Sequence, residues 1–355
     1  MSKFADTLVS WQRQHGRHDL PWQQTRDPYR VWLSEIMLQQ TQVDTVIPYY
    51  NRFLQHFPDI ASLAAAPQDA VLAQWSGLGY YARARNLHKA AQIVMAEHGG
   101  RFPQTAAGLV ELPGIGRSTA AAIASFCFGE RAAILDGNVK RVLCRHRGVD
   151  GFPGERAVET HLWALAEALL PAEGIDTYTQ ALMDLGATLC TRSRPTCAIC
   201  PVAADCVARE TGRQAELPAA RPRKPVPQRA LDVLVLRARR GNASRVLMER
   251  RPASGIWGGL YSLPECQEGE SPLACAQRRF GITATEAEAL PPVRHSFTHF
   301  TLTLTPWLVE LPTLPRMASD DNLYWADADT LPSLGLPAPI RRLLADVPAL
   351  LETQE

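Results

Sequence analysis

Four cysteines lie close together near the middle of the chain, and their spacing could hold a metal centre. Cys190, Cys197, Cys200 and Cys206 follow the pattern C-x6-C-x2-C-x5-C. Four thiolates in so short a stretch can bind either a tetrahedral zinc ion or an iron–sulfur cluster. Two disulfides are the alternative, and the lack of a visible secretory signal disfavours them. The spacing predicts a metal centre and leaves zinc and iron–sulfur open, because C-x2-C serves both.

Two acidic side chains are predicted to lie in unlike surroundings. Glu35 stands among the Trp, Leu, Ile and Met side chains of residues 32–38. Such an acid is either a paired core carboxylate or a general acid whose pKa is raised by desolvation. Asp136 opens the string Asp136-Gly137-Asn138-Val139, where an Asx turn is the plain structural explanation. Two carboxylates in unlike environments suit an oxocarbenium-like transition state, because one donates a proton and the other stabilises positive charge.

A turn containing two glycines precedes an alanine-rich helix at residues 112–120, Leu-Pro-Gly-Ile-Gly-Arg-Ser-Thr-Ala. Gly114 and Gly116 let the backbone approach a partner closely, and the N–H groups that open the helix can bind an anion. This is the layout of a helix-hairpin-helix, which binds a DNA phosphate without reading the base sequence. A plain turn between helices is the structural alternative, and the full string favours phosphate binding.

The elements that must position these groups are mostly helical up to about residue 210. Apolar residues recur at helical spacing in four stretches, residues 31–38, 87–95, 120–128 and 161–170. Short Gly and Pro breaks separate the stretches. The pattern therefore predicts an all-α array with short connections.

The composition changes at residues 218–229, PAARPRKPVPQR, which we interpret as a domain linker because proline favours an extended spacer. Strand-like runs follow at residues 230–238, 245–250 and 300–309, and helical patterns at 272–280 and 337–352. The second domain is therefore predicted to be α+β.

Overall composition bounds the class of protein. A chain of 355 residues suggests about two or three domains, and its 46% hydrophobic and 21% charged residues describe an ordinary globular protein. A net charge of +1 means that any basic surface for nucleic acid must be local. No apolar run is long enough to span a bilayer. Free thiols with a thiolate metal site predict the reducing cytoplasm.

Taken together, the motifs resemble the MutY family of adenine DNA glycosylases, within the endonuclease III superfamily. The resemblance is carried by the string Leu-Ser-Glu-Ile-Met-Leu-Gln-Gln-Thr at residues 33–41, the hairpin, residues 136–139 and the four-cysteine spacing. It covers essentially the whole chain. It implies a monomer that excises adenine mispaired with 8-oxoguanine or guanine in duplex DNA, after flipping the base from the stack.

The resemblance also implies the architecture and the cofactor. It implies a multidomain protein in which an all-α helix-hairpin-helix glycosylase domain with an iron–sulfur cluster loop precedes a nudix-like α+β domain. Residues 1–24 and 131–217 would form the cluster domain, and residues 25–130 a six-helix barrel. After the linker, residues 230–355 would recognise 8-oxoguanine. The four cysteines would bind a [4Fe–4S] cluster.

Catalytic roles are implied for three residues of this sequence. Glu35 would be the general acid at adenine N7, Asp136 would stabilise the sugar cation or trap it covalently, and Asn138 would orient the site. Ser118 stands where bifunctional relatives carry a lysine that attacks the sugar. Because a serine cannot form that imine, a monofunctional glycosylase is expected. An abasic-site lyase and a catalytically inert lesion-binding module are the rival functions.

Residues that would contact DNA are implied in the same way. Gln39, Gln40 and Tyr80 match positions that enter the DNA stack, while Gly114 and Gly116 would hold a phosphate near Ser118. Tyr80 lies in a glycine-flanked aromatic loop, as a wedge between bases needs. Pattern alone would instead make Tyr80 a packed aromatic at the start of a helix.

The second domain resembles nudix hydrolases through residues 250–260, yet no acid occurs from Ser271 to Thr285. Nudix chemistry needs a glutamate cluster for Mg²⁺ on this helix, so pyrophosphatase activity is expected to be missing. Phe297, Thr298 and His299 resemble the loop that inspects 8-oxoguanine, with Thr298 in place of the usual serine. Pattern alone would make Phe297 and His299 ordinary strand-edge residues.

Overall fold

The computed structural model describes residues 3–221, 225–240, 243–297, 299–315 and 322–346. The N-terminal part is helical, as predicted. Its α-helices are α1 (Lys3–His15), α2 (Pro28–Leu38), α3 (Val43–His56), α4 (Ile60–Ala65), α5 (Gln68–Trp75), α6 (Ala82–His98), α7 (Ala106–Leu109), α8 (Arg117–Phe128), α9 (Gly137–Arg147), α10 (Arg156–Ala168), α11 (Ile175–Asp184) and α12 (Val207–Glu210). Three of the four stretches with helical spacing lie wholly in helices, and residues 161–170 end two residues beyond α10, so the prediction of these helices is confirmed.

Local sequence explains where the site-bearing helices begin and end. Asp27 caps α2 by accepting a hydrogen bond from the Tyr29 N–H at 2.9 Å, and Pro28 occupies the first helical position, where it loses no hydrogen bond. Helix α8 ends at Gly129, whose φ of 69° is left-handed and suits glycine. Helix α11 continues into a π-helical turn at Leu185–Leu189, which leads directly to Cys190.

The C-terminal part is α+β, as predicted. Its strands are β1 (Gln228–Arg240), β2 (Ala243–Arg250), β3 (Tyr261–Ser262), β4 (Glu288–Ala289), β5 (Val293–Ser296), β6 (Thr301–Leu311) and β7 (Leu323–Ala326), and its helices are α13 (Pro272–Phe280) and α14 (Ala338–Asp346). The strand order is β3-β2-β1-β6-β4, with β5 also on β6 and β7 also on β2. Only the β1–β6 pair is parallel among the described pairings, so the sheet is mixed.

One boundary differs from the sequence prediction. Strand β1 begins at Gln228, inside the stretch interpreted as a linker, because Gln228 already pairs with Thr301 of β6. Residues 222–224 of that linker, and residues 347–352 of the last predicted helix, lie outside the described residues. The predicted domain boundaries otherwise stay predictions.

Contacts divide the chain into two compact units, Met1–Ala65 with Asn86–Arg223, and Ala66–Arg85 with Lys224–Glu355. The core of the first unit joins α1, α9, α10 and α11 through buried residues such as Leu8, Leu143, Leu162 and Leu182. The core of the second unit packs α13 against the sheet through Cys275, Leu234, Leu247 and Val309. Each such side chain contributes roughly 1.5–3 kcal/mol by leaving water. Among the described residues, no helix combines the length and apolar character needed to cross a membrane.

Candidate active site and nucleic-acid contacts

Glu35 lines a cavity of about 400 Å³ in the first unit. Its neighbours on α2, Trp32, Leu33 and Ile36, are buried, so this part of the helix surrounds the carboxyl mainly with apolar side chains. Burial raises the pKa of Glu35 to about 8, and the nearby Asp136 carboxylate raises it further. The group is therefore protonated at neutral pH, which is the state a general acid needs.

Asp136 caps α9, and its negative charge also acts on the carboxyl group of Glu35. Its Oδ1 accepts the Val139 N–H at 2.7 Å, and its Oδ2 accepts the Asn138 side-chain amide at 3.3 Å. Burial raises the pKa of Asp136, while the hydrogen bonds and the positive charge of Arg141 act in the opposite direction. The Asx-type capping role and a place beside Glu35 are thus both present in the structure.

Arg141 joins the first turn of α9 to the cysteine segment. Its guanidinium donates to Asn138 Oδ1 at 2.8 Å, to the Gly186 carbonyl at 2.6 Å and to the Cys190 carbonyl at 2.7 Å. A Cβ on Gly186 would lie 2.5 Å from Asn138 Cβ, so glycine is required for this approach. Asn138 is therefore held by the helix that leads to the cysteines.

The four cysteines surround one small cavity of about 20 Å³, whose apolar lining includes Val142 and Val202. Burial raises the pKa of Cys200 to about 11, and the Val202 N–H opposes the shift by hydrogen bonding to the sulfur. Arg145 donates to Cys190 Sγ at 3.4 Å. Hydrogen-bond donors of this kind, the Val202 N–H and the Arg145 guanidinium, favour the thiolate form of the cysteines. In the described part of the chain, no three His, Cys, Asp or Glu residues are placed to hold a single metal ion.

The glycine-containing turn opens α8 as the helix-hairpin-helix reading expects. Gly114 has φ +81° and its missing Cβ would lie 2.8 Å from Asn86 Cβ, whereas a Cβ on Gly116 would meet nothing within 4 Å. Gly116 caps the helix without a side-chain hydrogen bond, and open space lies beside it. The Ser118 side chain contacts the segment just before Asp136, where its Oγ accepts a hydrogen bond from the Leu135 N–H at 2.9 Å.

Strained backbone marks three residues. Gln40, Tyr80 and Trp257 are the non-glycine residues with positive φ among those described, at 58°, 50° and 54°. Such conformations cost about 1–3 kcal/mol each and concentrate at functional sites. Gln40 and Tyr80 are predicted to enter the DNA stack. Gln39, at the end of α2, lies 3.5 Å from the Thr119 hydroxyl through its amide.

Tyr80 is 46% exposed, so the packed-aromatic alternative is not what the structure shows. Arg83 lies over the Tyr80 ring at 5.4 Å and donates to the carbonyls of Leu78 and Gly79 at 3.3 and 3.2 Å. Trp75 also donates to the Gly79 carbonyl, at 3.2 Å. The backbone beneath the ring is therefore fixed while the ring itself is accessible.

Phe297 and His299 lie in a tight turn between β5 and β6, in which the Phe297 N–H donates to the Phe300 carbonyl at 2.8 Å. Phe297 stacks on Phe300 with ring centroids 4.5 Å apart, and it also contacts Trp257 at 5.7 Å. His299 is exposed at the turn. Thr298, between them, lies outside the described residues.

The face of the second domain that would carry nudix chemistry holds paired charges. A cavity of about 380 Å³ is lined by Glu249, Glu265, Arg251 and Arg279, among others. Arg279 pairs with Glu249 and Arg251 pairs with Glu265. Helix α13 contributes arginines here, consistent with its lack of acids. Both carboxylates are engaged by guanidinium groups, which leaves little negative charge for Mg²⁺.

Comparison with known proteins places these sites in a family. Residues 33–168 match the HhH-GPD superfamily of base excision DNA repair proteins, and residues 233–346 match the NUDIX domain. An adenine DNA glycosylase from Buchnera aphidicola subsp. Acyrthosiphon pisum is 35% identical, with 96% of each chain covered. The chain belongs to the adenine DNA glycosylase family. The family membership makes it an enzyme that hydrolyses an N-glycosyl bond in base excision repair of DNA.

Other relatives agree. The human adenine DNA glycosylase is 36% identical over 85% of this chain and 66% of its own length. A thermostable thymine-DNA glycosylase is 30% identical, with a TM-score of 0.54 over 59% of this chain and 95% of its own. An endonuclease III–DNA complex shares the fold at 21% identity, with a TM-score of 0.51 over 59% of this chain and 94% of its own. The predicted family and both predicted domain folds are confirmed.

Sequence reasoning missed several residues that line the Glu35 cavity. Trp22, Gln23 and Gln180 line it together with Glu35. Trp22 and Gln23 belong to a short 3₁₀ turn, Pro21–Gln23, and Gln180 lies on α11, far away in the chain. No periodic pattern singles out these residues.

The two hairpin glycines give a matched pair of predictions. Gly114→Ala forces a left-handed alanine against Asn86, so it should lower the free energy of unfolding by about 1–3 kcal/mol. Gly116→Ala has room and an extended backbone, so its stability should change by less than about 0.5 kcal/mol, while DNA affinity falls because a methyl stands where a phosphate would approach. Urea unfolding and a filter-binding titration measure the two effects. Equal destabilisation by both changes would contradict this assignment.

The raised pKa of Glu35 predicts a pH dependence with a definite sign. The folded protein keeps the Glu35 proton up to pH about 8, whereas the ordinary value is 4.5. The free energy of unfolding should therefore fall as pH rises through this window, because the folded state then binds more protons than the unfolded state. Glu35→Gln, which cannot titrate, should lack that part of the decline. Urea unfolding of both proteins across the window measures it, and identical slopes would show that Glu35 titrates normally.

Proposed function

We propose that this enzyme excises adenine mispaired with 8-oxoguanine or guanine from duplex DNA, as a monofunctional glycosylase. It would act as a monomer in the cytoplasm. The observation that carries the proposal is that Glu35, whose pKa burial raises to about 8, has the capped carboxyl group of Asp136 beside it. Two carboxyl groups in unlike environments are what an oxocarbenium-like reaction uses.

The flipped adenine enters the cavity lined by Glu35. At about 400 Å³ the cavity lies within the size range of small-molecule sites, about 300–1,000 Å³. Glu35 gives its proton to adenine N7, and the bond between the base nitrogen and C1′ breaks with its electron pair moving to the base. The Glu35 carboxylate then takes a proton from water, whose oxygen bonds to C1′. Glu35 thus ends in its starting state.

Asp136 stabilises the positive charge that develops on the sugar when the base leaves. Its hydrogen bonds from Val139 and Asn138 fix the carboxylate, and the charge of Arg141 favours its ionised form. Asn138 orients Asp136 and is itself held by Arg141. This arrangement needs no reorganisation when charge appears, which is the main advantage of an enzyme site over water.

DNA is held through its backbone and its stack. The N–H groups around Gly114 and Gly116 bind one phosphate, with no sequence preference. Gln40 and Tyr80 enter the stack from positions of strained backbone, and Gln39 lies beside Gln40. In the second domain, Phe297, Thr298 and His299 inspect the partner base.

We also propose that Cys190, Cys197, Cys200 and Cys206 hold a [4Fe–4S] cluster, which supplies cross-links between the segments that carry its ligands and no reacting atom. The purified protein should be brown and contain about four irons per chain. Cys200→Ser should lose iron and solubility because ligand loss frees the whole segment. Cys275→Ser, a buried cysteine of the second domain, is the control and should keep its iron. One zinc in an active, colourless protein would exclude the cluster.

One assay separates the proposed function from its rivals. A labelled duplex with a single A:8-oxoguanine pair is incubated with excess enzyme and analysed with and without alkali. Strand breaks only after alkali indicate a glycosylase, breaks without alkali a lyase, and intact DNA a binding module. Glu35→Gln is the matched variant, since it keeps the shape and loses the proton, and its rate should fall at least about 10²-fold. A Glu35→Gln rate within about threefold of wild type would refute the acid role.

Ser118 provides a prediction about monofunctionality. Ser118→Lys places an amine in the first turn of α8, where the field of the helix N-terminus lowers the pKa of a lysine and makes it more nucleophilic. The variant should gain strand cleavage and become trapped on DNA by borohydride. Ser118→Met is the control, because it also loses the hydroxyl that accepts the Leu135 N–H but carries no amine. Efficient trapping of wild type would show that another lysine already reaches the sugar.

A further inference from the structure

Residues 66–85 carry Tyr80, and their polar contacts lead to residues of the same unit that follow residue 224. Three segments matter: the Tyr80 loop (residues 76–81), the Trp257 loop (residues 251–260) and the Phe297 turn (the described residues 295–297, 299 and 300). Asp69, in the first turn of α5, also pairs with Arg250, which directly precedes the Trp257 loop.

Arg85 connects the Tyr80 loop to the Trp257 loop through two hydrogen bonds. It lies in the first turn of α6, where its N–H donates to the Tyr81 carbonyl at 3.1 Å. Its guanidinium donates to the Gly258 carbonyl at 2.7 Å. Arg85 is half-buried, and this desolvation lowers the pKa of its guanidinium, so the hydrogen bond forms with little competition from water.

The Trp257 loop connects Gly258 to the Phe297 turn. Trp257 is 7% exposed and left-handed, and its ring packs against His295 at 5.9 Å and Phe297 at 5.7 Å. Arg251 holds the loop by donating to the Ile256 carbonyl at 2.8 Å. Arg85 therefore binds the carbonyl of Gly258, the residue that directly follows Trp257, and the Trp257 ring packs against Phe297.

Ser76 fixes the other end of the Tyr80 loop. Its hydroxyl donates to the Leu336 carbonyl at 2.6 Å and accepts a hydrogen bond from Arg341 at 2.7 Å. The Tyr81 hydroxyl lies 3.5 Å from the same carbonyl. Both ends of the loop that presents Tyr80 are thus bonded to later residues of the same unit, which also carries Phe297, and the strained backbone at Tyr80 and Trp257 lies between these contacts.

We infer that Arg85 is a positioning residue that makes base reading by Phe297 and stack entry by Tyr80 one cooperative event. The inference rests on the proposed function. Arg85 contacts the protein backbone and would touch neither the flipped base nor the sugar. It fixes the distance between the two loops, so that a partner base accepted at the Phe297 turn meets Tyr80 already in place. Without this bond each loop keeps its fold, but the two no longer act together.

The first test compares two variants at this position. Arg85→Met keeps most of the side-chain length and loses the donor, whereas Arg85→Lys keeps a donor and a charge. Single-turnover rates are measured on duplexes with A:8-oxoguanine and with A:G. Arg85→Met should lower the ratio of the two rates about tenfold and leave the A:G rate within about twofold, because a hydrogen bond from a charged group is lost. Arg85→Lys should restore at least half of the logarithm of that ratio.

A double-mutant cycle distinguishes positioning from a general structural effect. Phe297→Ala should lower the same ratio in the wild-type background, and Arg85→Met should add less than about a further twofold to it. 2-Aminopurine placed beside the mispair reports stack entry, and its fluorescence change on binding should shrink in Arg85→Met for the 8-oxoguanine duplex. Losses that multiply independently, or an unchanged fluorescence response, would overturn the inference.

A measurement on wild type keeps the inference testable if Arg85→Met fails to fold. Hydrogen exchange of residues 76–83 is compared in complexes with A:8-oxoguanine and A:G duplexes at saturation. Slower exchange with 8-oxoguanine is expected, and equal exchange would contradict cooperation between the loops. If wild type excises no adenine at all, the proposed function fails; if it prefers 8-oxoguanine and Arg85→Met prefers it equally, only the role of Arg85 fails.

Discussion

The desolvation of one carboxyl group, that of Glu35, is the constraint on which the first unit depends. Apolar neighbours on α2 and the charge of Asp136 hold its pKa near 8, so a proton is available at neutral pH. Burial raises the pKa of Asp136 as well, but its two N–H hydrogen bonds and the positive charge of Arg141 act against that shift. The two adjacent acids therefore differ in their surroundings, and those of Asp136 favour its charged form more.

Arg141 connects the surroundings of Asp136 to the cysteine segment. Arg141 supplies positive charge near Asp136 and also binds the carbonyls of Gly186 and Cys190. The close approach of Gly186 to Asn138 leaves no room for a side chain there. Arg141 therefore connects the Cys190 carbonyl directly to Asn138, whose side-chain amide donates to Asp136.

Sequence patterns predicted those helices and strands whose ends are set by neighbouring residues in the chain. Helix α13 was predicted at residues 272–280 and occupies those residues, because Ser271 caps it and Gly281 ends it in a left-handed conformation. Glu35 could be singled out since an acid in an apolar helix is unusual at the level of a few residues. Trp257 and Arg85 could not, because their contacts lie 38 and 173 residues away in the chain. Gln23 and Gln180 were missed for the same reason: only the folded cavity brings them near Glu35.

The second domain matches the NUDIX domain, and paired charges line one of its cavities. Where nudix chemistry would need free carboxylates, Glu249 and Glu265 are each bound by an arginine. One of these arginines, Arg251, also holds the Ile256 carbonyl of the Trp257 loop. Partly buried ion pairs are weak evidence for stability, since desolvation offsets much of their attraction. Their geometric effect is more specific: Arg251 connects the charge network to the backbone that precedes Trp257. An arginine of this charge network therefore also orients the loop whose Trp257 ring packs against Phe297.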